Sequence, residues 1–280
     1  KIGISLKKME KIKNKLLMLF NYLGINKLYQ LPILGSFGKK LIQIDSRINE
    51  FNRLKNVIDI EEDVDLLKDM MGRYWTEEKI QKYLDELKTC YAPWMRLYHS
   101  VLIGCSVLQN HKVILDYGCG AGVHSFINKK IFSHCKFYMN DIAMLSSPKL
   151  YQSLKENYET DDLQFVDRVT DDLLSKCDLI YSAGTFSVMP PKQLERMLSR
   201  FYDNDCDLLV STNTFLRQDL GASQPYSKPY NDFREVNWSH NCKKYLNRVG
   251  YKIQWLQTLT HDEMENKRLV IFYATKDKQG

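Results

Sequence analysis

The residues best suited to chemistry lie in the segment Val113–Gly122, where an apolar run reaches Asp116 and three glycines follow, Gly118, Gly120 and Gly122. Glycine lets a backbone turn sharply and approach a ligand closely, because it has no Cβ. The GxGxG spacing differs from the GxGxxG of dinucleotide-binding loops, and the Lys-Ser or Lys-Thr of a phosphate-binding loop is absent. An ordinary tight turn is the alternative. A carboxylate beside such a loop favours a ligand that carries a cationic ammonium group.

Two further acidic positions follow apolar segments that have the pattern of strands. Asp141 comes directly after Lys136–Asn140, about 20 residues past the glycines, where a carboxylate can accept hydrogen bonds from both hydroxyls of a ribose. Capping the next helix is its alternative role. Asp167 follows the third apolar segment and suits the amino group of an adenine, although Asp171 and Asp172 lie close by and could substitute. The pattern predicts a site for an adenosine-containing ligand.

The segment after the fourth apolar run begins with Ala183 and Gly184, and we expect it to line the ligand and to face a second substrate. His240 is the first candidate for a general base, because imidazole titrates near neutral pH and the residue lies where substrate should enter. Helix capping or packing is its alternative role. His124, just after the glycines, is the second candidate and is better suited to orienting the ligand.

A long connection precedes His240. The segment Phe215–Asn237 exceeds the roughly 12–15 residues above which connections in compact domains are usually functional or disordered. It contains aromatic and basic side chains, among them Tyr226, Tyr230, Arg217 and Arg234. Aromatic faces suit sugars, and arginines bind carboxylates or phosphates. We expect this segment to be a lid that binds the substrate.

The elements that must position these residues alternate between strands and helices after Lys112. Seven segments have the pattern of strands: Val113–Tyr117, Lys136–Asn140, Leu163–Val166, Leu179–Ser182, Asp207–Thr212, Tyr251–Thr258 and Leu269–Ala274. Helices fill the gaps, and Pro191–Tyr202 and His240–Val249 are the clearest of them. This alternation predicts a mostly parallel sheet covered on both faces. The catalytic domain should span 112–280, after a helical region at 1–111 that forms a substrate wall.

Composition narrows the class of protein. The 280 residues are 44% hydrophobic and 26% charged, as in a globular enzyme, and the net charge of +6 is not arranged in the basic stripe that binds nucleic acid. The seven cysteines form no CxxC pair and no ligand-like spacing with histidine, so we expect a reducing cytoplasm and no metal site. No run of about 18 apolar residues occurs, so we expect no transmembrane helix. The basic amphipathic segment Leu6–Leu23 could contact a membrane surface or a partner, or pack on its own protein.

On these residues the chain resembles the class I S-adenosylmethionine-dependent methyltransferases. The resemblance covers Lys112–Lys276 and rests on Asp116, the three glycines, Asp141 and Asp167. It implies a seven-stranded Rossmann-like α/β sheet whose last strand is antiparallel. It also implies that S-adenosylmethionine (SAM) binds at the carboxyl ends of the strands, and it leaves the methyl acceptor open.

Two sequence signatures that mark particular classes of methyl acceptor are absent. The Asn/Asp-Pro-Pro-aromatic motif of many base-methylating enzymes is missing, since Pro190 and Pro191 lie well past the fourth strand and precede Lys192, and no Pro-Cys motif occurs. The helical front end with this core is similar to sugar O-methyltransferases found with bacterial surface-polysaccharide genes, which implies a sugar or glycan hydroxyl as acceptor. A small-molecule or natural-product O- or N-methyltransferase is the main alternative. Outside the family, the alternatives are an NAD-dependent oxidoreductase and a cofactor-binding interaction module without turnover. The sequence leaves the oligomeric state open.

Overall fold

The computed structural model describes residues 107–146, 148–214, 224–226, 237–260 and 268–276, together with Asp85. The elements in these residues are β1 (Val113–Tyr117), α1 (Val123–Ile131), β2 (Lys136–Asn140), α2 (Ala143–Ser146), α3 (Pro148–Tyr158), β3 (Leu163–Phe165), α4 (Asp171–Leu174), β4 (Leu179–Ala183), α5 (Pro191–Asp203), β5 (Asp207–Thr214), β6 (Gln224–Tyr226), β7 (Asn237–Ser239), α6 (Cys242–Val249), β8 (Tyr251–Thr260) and β9 (Arg268–Lys276). The predictions for Leu6–Leu23, for nearly all of 1–111, and for Arg217, Tyr230 and Arg234 lie outside the described residues.

Seven strands form one sheet in the order β3-β2-β1-β4-β5-β9-β8. The pairs from β3 through β5 are parallel, whereas β9 is antiparallel to both of its neighbours. The predicted Rossmann-like sheet with an antiparallel last strand is therefore confirmed. The chain order reverses where β1 lies between β2 and β4. In open α/β sheets ligands bind outside the carboxyl ends of the strands at such a point.

Hydrophobic cores cover both faces of the sheet because successive strand side chains point in opposite directions. On one face Ile114, Phe137 and Tyr181 pack with side chains of α1 and α3. On the other face Leu115, Ile180 and Leu208 belong to a second core with side chains of α4, α5 and α6. This double covering explains why the strands read as nearly continuous apolar runs.

Two of the sequence predictions differ from the structure in detail. The connection Phe215–Asn237 was expected to be a loop, but it contains β6, which pairs antiparallel with β7. The helix expected from His240 begins at Cys242 instead, and its cap is Asn241, whose side chain accepts a hydrogen bond from the Lys244 N–H at 3.1 Å. Asparagine is a strong helix cap because its side chain replaces a missing acceptor in the first turn.

A histidine on the segment before β1 links that segment to β5. His111 is 5% exposed; its Nδ1 donates to the Val107 carbonyl at 2.7 Å and its Nε2 lies 3.2 Å from Asp207 Oδ2. The Tyr273 hydroxyl donates to the same Asp207 oxygen at 3.1 Å. Burial lowers the pKa of His111, but the hydrogen bonds to Asp207 and Val107 and the nearby negative charges outweigh it and raise the pKa above its usual 6.5.

This histidine should make stability depend on pH. Because its pKa is higher in the folded chain, its contribution is complete below about pH 6.5 and is lost as the pH rises through the folded pKa. We expect the free energy of unfolding of His111→Gln, measured in urea between pH 6 and 9, to change less with pH than that of the wild type. The exposed His134 provides the control, and His134→Gln should retain the wild-type pH dependence. Equal slopes for His111→Gln and the wild type contradict this assignment.

Candidate functional site

The loop between β1 and α1 takes a backbone shape that favours glycine at three positions. Gly118, Gly120 and Gly122 have φ angles of 77°, 58° and 80°, in the left-handed region that other residues rarely adopt. The N–H groups of Gly118 and Cys119 both donate to the carbonyl of Asn140, at 2.7 and 2.9 Å. The glycine loop (residues 118–122) is thereby fixed to the carboxyl end of β2.

Gly118 is also required by its surroundings. A Cβ on this residue would lie 1.8 Å from Thr185 Oγ1 and 2.6 Å from Thr185 Cβ. Thr185 Oγ1 donates to the Gly118 carbonyl at 3.2 Å. The glycine loop and the residues after β4 are therefore so close that no residue with a Cβ fits at position 118.

Asp116 is a buried carboxyl group beneath this loop. It is 1% exposed, and its Oδ2 accepts a hydrogen bond from Ser125 Oγ at 2.6 Å. Burial raises the pKa of Asp116 to about 7, and the negative charge of Asp141 adds to this effect, while the Ser125 hydrogen bond opposes it. The group is therefore poised near neutrality, where a nearby cation would favour its ionised form.

Asp141 joins the glycine loop to the start of α2. Its Oδ2 accepts the Gly120 N–H at 2.8 Å and its Oδ1 accepts the Ala143 N–H at 2.8 Å. Burial raises the pKa of Asp141, although both backbone hydrogen bonds lower it. A carboxylate offers about four lone-pair sites, so these two bonds leave acceptor capacity for the hydroxyls of a sugar.

Asp167 lies at the carboxyl end of β3, on the same edge of the sheet. Its side chain is 68% exposed and pairs with Lys155 Nζ at 3.0 Å. The alternatives, Asp171 and Asp172, lie in α4 and pair with Arg200 and Lys176. Among these acids, Asp167 lies nearest to the third strand, two residues after Phe165.

Ala183 and Gly184 end β4 beside β5. The Gly184 N–H donates to the Ser211 carbonyl at 2.8 Å, and Gly184 has a φ of 87°. A Cβ built on Gly184 would have no heavy atom within 4 Å, so open space adjoins this residue. Within the described residues, Gly184 therefore borders open space at the carboxyl edge of the sheet.

His240 is enclosed. Its ring is 1% exposed, and its Nε2 donates to the Met189 carbonyl at 3.0 Å. Burial lowers its pKa to about 4, although hydrogen bonds to the backbone of Met189 and Phe186 oppose the shift. The role of His240 as general base stays a prediction, and this enclosed environment favours a structural role.

His124, the second candidate, is also buried. Its Nδ1 lies 2.8 Å from the Tyr181 hydroxyl, across the interface between α1 and β4. Lying in the first turn after the glycine loop, it fits the predicted orienting role, which stays a prediction. Tyr226 lies in β6, and the structure describes only its backbone.

This chain is similar to known proteins in structure but not in sequence. No protein-family model matches the chain, and neither does any curated protein sequence. One similar solved structure is 1,6-didemethyltoxoflavin-N1-methyltransferase from Burkholderia thailandensis, with S-adenosylhomocysteine (SAH) bound: it is 15% identical, with a TM-score of 0.48 over 71% of this chain and 87% of that one. Another is magnesium protoporphyrin IX methyltransferase from Synechocystis PCC 6803 with bound SAM, 14% identical with a TM-score of 0.47 over 79% and 99%. At these sequence identities and TM-scores, the similarities do not indicate which ligand or substrate this chain binds.

Several residues of the site were not found from the sequence. Ser125, Asn140, Tyr151 and Thr185 all bond to the glycine loop or to Asp116, and the Tyr151 hydroxyl donates to the Gly120 carbonyl at 2.8 Å. Thr185 is the exception, because it lies in the segment after the fourth strand that was predicted to line the ligand, and only its contact with Gly118 was not predicted. The others bond across elements, and no local pattern marks them.

No described helix is long and apolar enough to cross a membrane. Within the same part of the chain, no group of three or more histidine, cysteine, aspartate or glutamate side chains could hold a metal ion.

Proposed function

We propose that this chain is a SAM-dependent methyltransferase. The observation that carries the proposal is the glycine loop closed by Asp141, because the same carboxylate that fixes Gly120 also has free acceptor capacity at the point where the strand order reverses. Asp116 beneath the loop and Asp167 beyond β3 complete a row of carboxyl groups along the edge of the sheet. The row suits an adenosine with a cationic amino-acid chain.

Each residue of the row would have a separate task. Asp141 accepts hydrogen bonds from the ribose hydroxyls, and Asp167 accepts one from the adenine amino group. Asp116 favours the ammonium group electrostatically when it is ionised. When bound, SAM supplies a methyl group on a positively charged sulfur. Ala183 and Gly184, the second of which borders open space, leave room for an acceptor to align with that methyl group.

The same geometry argues against NAD. A pyrophosphate binds to free N–H groups at a helix N-terminus. Asp116 and Asp141 place carboxyl groups beside the loop, which disfavours a phosphate.

The acceptor that we propose is a hydroxyl group of a sugar or glycan. The support is the composition of the lid segment, with Tyr226, Tyr230, Arg217 and Arg234; the segment contains β6 and ends at the first residue of β7. β7 lies against β5 and against the turn Thr185–Ser187, at the carboxyl edge of the sheet. Residues 112–280 would form the catalytic domain. A small-molecule or natural-product acceptor is the alternative within the same chemistry.

Binding distinguishes the classes of cofactor directly. We expect isothermal titration of the wild-type protein with SAH to give a dissociation constant in the micromolar range, on the order of −8 kcal/mol. We expect NADH fluorescence to be unchanged by the protein. The reverse result excludes a methyltransferase. SAH binding without methyl transfer from labelled SAM to any of a panel of sugars, phenols and amines supports the non-catalytic interaction module instead.

SAH affinity should rise with pH because of Asp116. Burial holds its pKa at about 7, and the ammonium group of SAH favours the ionised carboxylate, so binding below pH 7 must release a proton. Between pH 6 and pH 8 we expect the affinity to increase about tenfold, the effect of one titrating group over one pKa unit. Asp116→Asn should bind SAH with the same affinity at both values. Titration in two buffers of different ionisation enthalpy measures the released proton, and its absence in the wild type contradicts the assignment.

A further inference from the structure

The β6–β7 ribbon (Gln224–Tyr226 with Asn237–Ser239) needs an anchor. A two-stranded ribbon is marginally stable by itself in water, so its position depends on what its base contacts. The base is well buried, since Trp238 is 2% exposed, His240 1% and Cys242 2%. The ribbon therefore stands on a buried base next to the carboxyl edge of the sheet.

His240 makes the polar contact at this base. Its Nε2 donates to the Met189 carbonyl at 3.0 Å. The Trp238 ring lies nearly parallel to it, at an interplanar angle of 12°, and Tyr245 packs edge-on with ring centroids 5.7 Å apart. The imidazole is thus held in one orientation, and its backbone partner belongs to the segment Gly184–Met189, called here the β4 turn.

The β4 turn is itself bonded internally. The Ser187 hydroxyl donates to the Gly184 carbonyl at 2.6 Å, and the Val188 N–H donates to the Thr185 carbonyl at 3.0 Å. These short-range bonds make the turn a compact unit that can carry a displacement from one of its ends to the other.

The β4 turn also touches the glycine loop. Thr185 Oγ1 donates to the Gly118 carbonyl at 3.2 Å, at the position where a Cβ on Gly118 would overlap Thr185. Any shift of the glycine loop toward Thr185 must therefore move the turn, because no space separates them. A continuous path of close contacts runs from the glycine loop through the turn to His240 and the ribbon.

We infer that His240 and Thr185 are positioning residues, which together set the place of the β6–β7 ribbon relative to the glycine loop. His240 fixes the ribbon to the β4 turn, and Thr185 fixes the turn to the loop. The inference rests on the proposed function for the ligand of the loop, and it gives His240 a role other than general base. A cofactor that orders the glycine loop then also orders the ribbon.

Hydrogen–deuterium exchange of the full chain tests this coupling, with SAH as the probe. All samples are measured at SAH concentrations that titration shows to be saturating. In the wild type we expect saturating SAH to slow exchange in peptides covering 224–226 and 237–239 by about fivefold, the order expected for one net hydrogen bond. Thr185→Val removes the donor but keeps the branched side chain, and His240→Leu removes the donor to Met189. Both variants should lose the slowing in the ribbon and retain it in the glycine loop.

Conservative variants separate positioning from simple damage. Thr185→Ser keeps the hydroxyl, and His240→Gln keeps an N–H donor that can reach the Met189 carbonyl, so both should restore the slowing in the ribbon. Slowing that persists in both Thr185→Val and His240→Leu overturns the inference, as does a wild-type ribbon that does not respond to bound SAH. If the wild type does not bind SAH at all, the proposed function fails instead. If His240 is the general base instead, His240→Gln should abolish turnover and leave hydrogen–deuterium exchange in the ribbon unchanged.

Discussion

Asp141→Asn should reduce the affinity for SAH by at least about 100-fold, because hydrogen bonds to a charged group contribute roughly 1.5–3 kcal/mol each. The carboxylate accepts two backbone N–H groups, from Gly120 and Ala143, both at 2.8 Å. An asparagine amide presents its own N–H₂ to one of these donors, so one bond becomes a donor–donor contact. The glycine loop would lose its connection to α2, and a ribose would lose its charged acceptor. Isothermal titration with SAH measures the loss.

Asp172→Asn is the matched control for this experiment. Asp172 is an exposed carboxylate of α4 that pairs with Lys176, and no contact joins it to the glycine loop among the hydrogen bonds of the described residues. The same change of charge there should alter SAH affinity by less than about twofold, as expected for an exposed ion pair. If Asp141→Asn binds SAH as well as this control does, Asp141 has no part in the site.

Gly118→Ala should destabilise the fold more strongly than an ordinary substitution of glycine. The φ of 77° costs an alanine roughly 1–2 kcal/mol by itself. In addition, the new Cβ would lie 1.8 Å from Thr185 Oγ1 and 2.6 Å from Thr185 Cβ, so the β4 turn or the glycine loop must shift. We expect a total loss of about 3–5 kcal/mol in the free energy of unfolding, the range of severe core defects. Urea denaturation without ligand measures it.

Gly184→Ala separates the two causes. Gly184 has a similar φ of 87°, but a Cβ there meets no atom within 4 Å. The free energy of unfolding of this variant should fall by only about 1–2 kcal/mol, which is what the left-handed backbone conformation costs an alanine. Equal losses for the two variants would show that the contact with Thr185 is relieved at no cost, and the close path from loop to turn would then lose its support.

Local patterns in the chain predicted most of the sheet. All seven predicted strands are present, because a strand buried on both faces appears as a short apolar run, and such a run needs no distant partner to be recognised. The three glycines of the loop were found for a similarly local reason, since a positive φ restricts the residue type at that position. The helix predicted over His240–Val249 ends where expected but begins two residues later, at Cys242, because its cap is Asn241.

The site could be predicted in part. The position of Asp141 after β2 was found from the sequence, but its bond to the N–H of Gly120, 21 residues away, was not. Asp116 was found as an acid beside the glycines, whereas its raised pKa depends on burial and on Ser125, which lies on another element. The role of each residue as a ligand of a cofactor stays a prediction that the binding experiments test.

By itself the sequence determined the strands, the left-handed glycines and the order in which the acidic residues leave the strands, because each depends on the type of residue at neighbouring positions. Only the tertiary structure decided which groups are buried and which distant groups meet. His240 illustrates this division. Its residue type and its place in the chain suggested a general base, yet the residue is enclosed and bonded to Met189, 51 residues earlier. Thr185 meets Gly118 from 67 residues away. Contacts over such separations arise from the packing of strands and helices, so a sequence pattern of short range cannot specify them.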